Sequence, residues 1–150
     1  MRRRTSGFVL AALVVASPCR AQDVSAAWKV TWAQGIRIQP DGAVEVESWG
    51  EAVLDLLQEG DRVSGTWVRP LGALGVARWH VEGSLLDGLL RLTATEAEAD
   101  TEAVRAQLAQ VERLEWEGRL EDDRLAGEMW VILREAPSRV NQPRPWRAER

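Results

Sequence analysis

Apolar and polar residues alternate with a period of two along most of this chain, the pattern of strands with one buried face. Trp28, Val30, Trp32, Ile36 and Ile38 share one face, with Lys29, Thr31 and Arg37 on the other, and Pro40-Asp41-Gly42 supplies a turn. Val44 and Val46 alternate with Glu45 and Glu47 in a returning strand. Leu54 and Leu56 begin a third, which turns at Glu59-Gly60-Asp61 into Val63, Gly65 and Trp67. After a loop over residues 70–75, Trp79, Val81, Gly83 and Leu85 run to Asp87-Gly88, a strong hairpin signal, and Leu90, Leu92 and Ala94 return. Leu114, Trp116, Gly118 and Leu120 then lead through Glu121-Asp122-Asp123 into Leu125, Gly127, Met129, Val131 and Leu133.

These runs predict an all-β fold, a single antiparallel up-and-down barrel of about eight strands, with a short ninth candidate at residues 146–148. Eight strands enclose a space just wide enough to be filled by side chains or to hold one small ligand. Gly65, Gly83, Gly118 and Gly127 recur inside strands, where glycine permits the coiling that closure needs. The period changes over residues 96–110. Alanines and acids there precede Val104, Leu108 and Val111 at helical spacing, so a short helical or acidic insertion is expected, capped by Asp100 or Thr101. It reads either as a solvated connection or as a lid over one barrel end. Residues 136–150, with Pro137, Pro143 and Pro145 among arginines, read as an extended tail laid on the surface or closing the barrel.

The first 21 residues follow a different rule. Arg2, Arg3 and Arg4 precede an apolar run of nine residues, and Ala21 offers a small residue for cleavage. That run is far shorter than the roughly 20 residues of a membrane-spanning helix. It predicts an exported protein, periplasmic or extracellular, with residues 22–135 as the barrel domain. Acylation at Cys19 is disfavoured by Pro18 in the place where lipid-anchored proteins carry a small residue.

Without that leader the charge changes. The whole chain has 19 Lys+Arg and 23 Asp+Glu; four arginines and no acid fall within residues 1–21, leaving 15 against 23 and a net charge of −8. So acidic a domain offers nucleic acid no basic footprint. Cys19 is the only cysteine, so the exported part has no disulfide and depends on one hydrophobic core. Tryptophan is its only aromatic: eight are present, tyrosine is absent and the one phenylalanine, Phe8, lies in the leader.

The catalytic inventory is thin. His80 is the only histidine and alternates away from Trp79 and Val81, so no serine has an evident base partner. Asp122-Asp123 and Glu45-x-Glu47 lack calcium-loop or zinc-site spacing. No catalytic residue, metal site or cofactor is assigned. The candidates are the inward tryptophans Trp28, Trp32, Trp67, Trp79 and Trp116, which either line a cavity for a small apolar ligand or fill the barrel. Trp49 and Trp130 alternate with glutamates and are expected outward, where they would mark a surface for a protein partner.

Residues 56–68, LLQEGDRVSGTWV, resemble the strand-turn-strand unit of avidin and lipocalin-like barrels, and Asp123-Arg124-Leu125-Ala126-Gly127 nearly repeats Asp61-Arg62-Val63-Ser64-Gly65. The resemblance implies a calycin-type secreted barrel with an internal site for small apolar molecules. It further implies an arginine stacked on the tryptophan of a Gly-x-Trp motif in the first strand. Trp28 occupies that place, with Ala26 where the glycine stands, and Arg147 or Arg150 would supply the cation. The tyrosine contacts of avidins to biotin have no counterpart here. Two rival classes remain: an envelope interaction module with a solid core, or a calycin-like enzyme, which requires a polar residue such as Arg78 or Glu82 inside.

Overall fold

The computed structural model describes residues 22–137, 139 and 142–150; the expected leader and Cys19 lie outside them. Eight antiparallel strands follow in order: β1 (Ala26–Ile38), β2 (Val44–Glu59), β3 (Arg62–Pro70), β4 (Val76–Leu86), β5 (Leu89–Ala99), β6 (Val111–Glu121), β7 (Arg124–Leu133) and β8 (Arg144–Glu149). Each pairs with the next and β8 returns to β1, so the sheet closes into a barrel. A 3-10 turn (Gly72–Leu74) links β3 to β4, and a helix, α1 (Glu102–Leu108), links β5 to β6.

The strand count stands, but its division differs from the expected one. The two short strands anticipated around Val44 and Leu54 are one 16-residue strand, β2. Gly50, between them, is a close-approach position: a Cβ there would lie 2.6 Å from Trp32 Nε1. The eighth strand comes instead from the C-terminal tail. β8 pairs with β7 from Arg124↔Glu149 to Met129↔Arg144, and with β1 from Lys29↔Glu149 to Trp32↔Trp146. Pro145 falls on the part of β8 that has a neighbour on one side only, where a missing donor is tolerated.

Closure depends on strands passing close together. A Cβ on Gly83 would sit 1.8 Å from Arg91 O, and one on Gly127 1.8 Å from Glu117 O, so no side chain fits at either position. The apolar faces point inward and the charged ones outward, with cross-strand pairs such as Lys29 with Glu51 (3.6 Å) and Arg62 with Glu82 (3.4 Å) on the outer wall. That is the reverse of the apolar outer band of a membrane barrel. No helix among the described residues is long and apolar enough to cross a membrane.

The two ends are built differently. At one, the segment before β1 folds under the barrel: Val24 is fully buried, its N–H donates to Gln58 Oε1 (3.0 Å), and its carbonyl accepts from Trp28 Nε1 (2.8 Å). At the other, Thr101 caps α1 by accepting from Val104 N–H (3.2 Å), and Val104 and Leu108 are buried. Asp100 Oδ1 accepts from Val76 N–H (2.7 Å) and Thr101 Oγ1 donates to Leu74 O (2.5 Å), which ties the β3–β4 loop to the helix. The insertion therefore packs against the barrel instead of looping free in solvent. β1 bulges between Ala33 and Ile36 and runs past the wall with β2 alone. Ile38, expected inward, is 57% exposed for that reason.

Candidate functional site

The period-two faces of β1, β3, β4 and β6 deliver Trp28, Trp32, Trp67, Trp79 and Trp116 to the interior, all buried. Four of them meet. The Trp67 ring is edge-on to Trp116 (4.7 Å between centroids) and to Trp32 (6.1 Å), and stacks on Trp79 (6.5 Å). Trp146 from β8 extends the cluster, 5.2 Å from Trp116. Trp28 stands apart at the closed end, under the Arg150 guanidinium at 4.8 Å.

The polar ends of these rings are unequal. Trp28 has its acceptor, Val24 O. The Nε1 atoms of Trp32, Trp67, Trp79, Trp116 and Trp146 are buried and find no acceptor among the described residues. Removing an N–H from water without a partner costs about 1–3 kcal/mol, and native interiors rarely leave such groups unmet. Five in one contiguous cluster make the interior rich in donors and poor in acceptors.

Two arginines border this cluster at the end opposite Trp28. Arg69 follows Val63, Gly65 and Trp67 in the inward register of β3, and its guanidinium lies 4.5 Å over the Trp32 ring. Arg144 precedes Trp146 and Ala148 in the inward register of β8, and its Nη1 donates to Ala33 O (3.2 Å) and to Gln34 O. Burial holds the Arg69 guanidinium below the usual arginine range, with the Arg144 charge adding to the effect, and burial alone does the same to Arg144. Arg144 also lines a groove of about 350 Å³, with Ile36, Val131, Leu133 and Gln142. A larger groove of about 840 Å³ is lined by Glu117, Arg119, Arg124 and Glu128, of both signs, around the facing pair Gly118 and Gly127. It follows the outer, charged wall and does not reach the tryptophan cluster.

Sequence reasoning thus named four of the five tryptophans that meet, plus Trp28, and missed Trp146, Arg69 and Arg144. A signal existed for each. Arg69 stands two residues after Trp67 and Arg144 two before Trp146, both in phase with an inward residue. Arg78 and Glu82, the polar residues an enzyme would need inside, are exposed. His80 is exposed too, with Nε2 3.3 Å from Glu82 Oε1. Among the described residues no three metal-binding side chains gather. Trp49, 47% exposed, and half-buried Trp130 face outward as expected, but each lies against an arginine of its own chain: Arg147 at 5.4 Å and Arg139 at 4.0 Å.

The chain is thus a closed eight-stranded antiparallel barrel, compatible with a calycin-like fold. No protein-family model matches it, and neither a curated protein nor a solved structure does.

Proposed function

We propose that this is an exported, non-catalytic barrel of the lipocalin and avidin type that binds one small molecule at the Arg69 and Arg144 end, on the floor of indoles. The observation that carries this reading is the set of five buried indole N–H groups without acceptors. A packed core of hydrocarbon leaves them unsatisfied; a ligand with oxygen acceptors that reaches them supplies the missing partners. A wholly apolar ligand gains less, so the apolar molecule anticipated from the pattern is refined to one carrying acceptors.

A second reading, a solid barrel acting as an envelope interaction module, is favoured by the contacts among the rings, 4.7–6.5 Å between centroids. Against it, the outward Trp49 and Trp130 are already engaged by arginines. The two readings separate in a ligand titration. Binding at the indoles quenches their fluorescence and raises the melting temperature with ligand concentration, by an amount equivalent to about 2.7 kcal/mol at one hundred times Kd. A panel of small amphiphiles, retinoids and porphyrins that changes neither quantity leaves the solid barrel as the better account.

A further inference from the structure

We infer that Arg69 and Arg144 are the head-group end of this site, and that its ligand is a small apolar molecule carrying a carboxylate. The inference rests on the binding reading above and adds the ligand's chemistry. In a domain with a net charge of −8 over residues 22–150, acids are plentiful: Arg62, Arg91, Arg113, Arg139 and Arg150 each lie within 4 Å of one, and Arg78, Arg119, Arg134 and Arg147, which do not, are exposed to water. Among the described residues neither Arg69 nor Arg144 has a carboxylate partner. They occupy inward positions on β3 and β8, and both lean on the same stretch of β1, Arg69 over the Trp32 ring and Arg144 on the Ala33 and Gln34 carbonyls. Holding two half-buried like charges at one end of the barrel without a counter-ion is unfavourable, and an anion bound there lowers that cost.

The shape of the surroundings selects the anion. A guanidinium presents paired N–H donors that match the two oxygens of a carboxylate. Arg144 is oriented by the Ala33 and Gln34 carbonyls and keeps further N–H donors for a ligand. Arg69 is braced by the Trp32 face and has no hydrogen-bond acceptor of its own among the described residues. The ligand body has a place too. The pairing of β1 with β8 stops at Trp32↔Trp146, and the 350 Å³ groove at Arg144 has apolar Ile36, Val131 and Leu133 in its lining. That volume lies near the lower end of ligand pockets, about 300–1,000 Å³, so the molecule is small.

Titration calorimetry on residues 22–150 with octanoate and with 1-octanol tests this, using the wild type, Arg69→Gln, Arg144→Gln, Arg69→Lys and, as an outer-wall control, Arg62→Gln. Octanoate is expected to bind the wild type at least about tenfold more tightly than octanol, the scale of a charge-assisted hydrogen bond. Arg69→Gln and Arg144→Gln each shrink that preference, Arg69→Lys keeps part of it, and Arg62→Gln keeps all of it. Circular dichroism and melting curves identify a variant that fails to fold, and the remaining variants then decide. Equal binding of octanoate and octanol by the wild type, or a preference untouched in folded Arg69→Gln and Arg144→Gln, overturns the inference and leaves the binding barrel standing. Binding of neither compound at millimolar concentration also overturns the inference, and the amphiphile, retinoid and porphyrin panel then decides the binding reading separately.

Discussion

The Arg150 guanidinium lies 4.8 Å above the Trp28 ring and donates to Asp23 O, fastening the strand that closes the barrel to the segment that seals its end. The lipocalin-like resemblance left Arg147 and Arg150 as alternatives for this role. Alternation decides between them. Trp146 and Ala148 point inward, so Arg147 points outward, to Trp49, while Arg150 falls back in phase with the interior. Asp123, 3.7 Å from Arg150, adds a carboxylate from the β6–β7 turn.

Stability is therefore expected to depend on residues 146–150. Deleting them removes Trp146 from the core and β8 from both neighbours, and the urea midpoint should fall sharply. Arg150→Ala alone costs about 0.5–2 kcal/mol, and Trp28→Ala about 3–5 kcal/mol, since it empties a buried site and leaves Val24 O without its donor. Equal midpoints for truncated and complete residues 22–150 contradict this closure.

Acid should weaken the ion pairs that Arg139 makes with Glu115 and Glu117. Burial tends to raise the Glu115 carboxyl, but hydrogen bonds from Arg139 (2.5 Å) and Arg113 (2.9 Å) prevail and hold it below its ordinary value of 4.5. A carboxyl depressed on folding contributes stability that is present above its unfolded value and lost as pH falls through the folded one. The urea midpoint of wild type should thus exceed that of Glu115→Gln by a constant margin above about pH 5, and the margin should shrink at lower pH. A margin that widens on acidification has the wrong sign.

The close strand crossings give a third test. Gly83→Ala and Gly127→Ala each drive a methyl into a neighbouring strand's carbonyl at 1.8 Å, and each should destabilise by about 1–3 kcal/mol or more, read from thermal melts. Melting curves unchanged by either substitution mean that the strands can separate there without penalty.

The leader reading is tested by mass spectrometry of protein recovered from the periplasm of an expressing Gram-negative host. The expected species begins at Gln22. One beginning at Met1, or a diacylated one beginning at Cys19, contradicts it.

Much of the barrel was legible because the period-two pattern records which face is buried, and a closed sheet has only an inside and an outside. Trp67, Trp79 and Trp116 could be placed by counting alone. Counting failed at local irregularities. The runs around Val44 and Leu54 were divided although they form one strand, and Gly50 between them lacks a side chain because of the Trp32 ring on the neighbouring strand, which no local window contains. The bulge after Ala33 shifts the phase of β1, so Ile38 was assigned to the wrong side. β8 was anticipated only as a short candidate at residues 146–148, because Pro143 and Pro145 argue against a strand unless one knows that its first residues have a neighbour on one side only. Arg69 and Arg144 were passed over because charge at an inward position reads as the end of a strand, although both continue the phase of a tryptophan two residues away.

The eight indole N–H resonances in a 1H–15N correlation spectrum, assigned by single Trp→Phe variants and followed through an octanoate titration, test the central claim most directly. Resonances of Trp32 and the tryptophans that meet it should move in a saturable way, while Trp28, bonded to Val24 O, and the outward Trp49 and Trp130 stay in place. Interior resonances that stay fixed while ligand is bound, or shifts confined to Trp49 and Trp130, contradict a site on the indole floor.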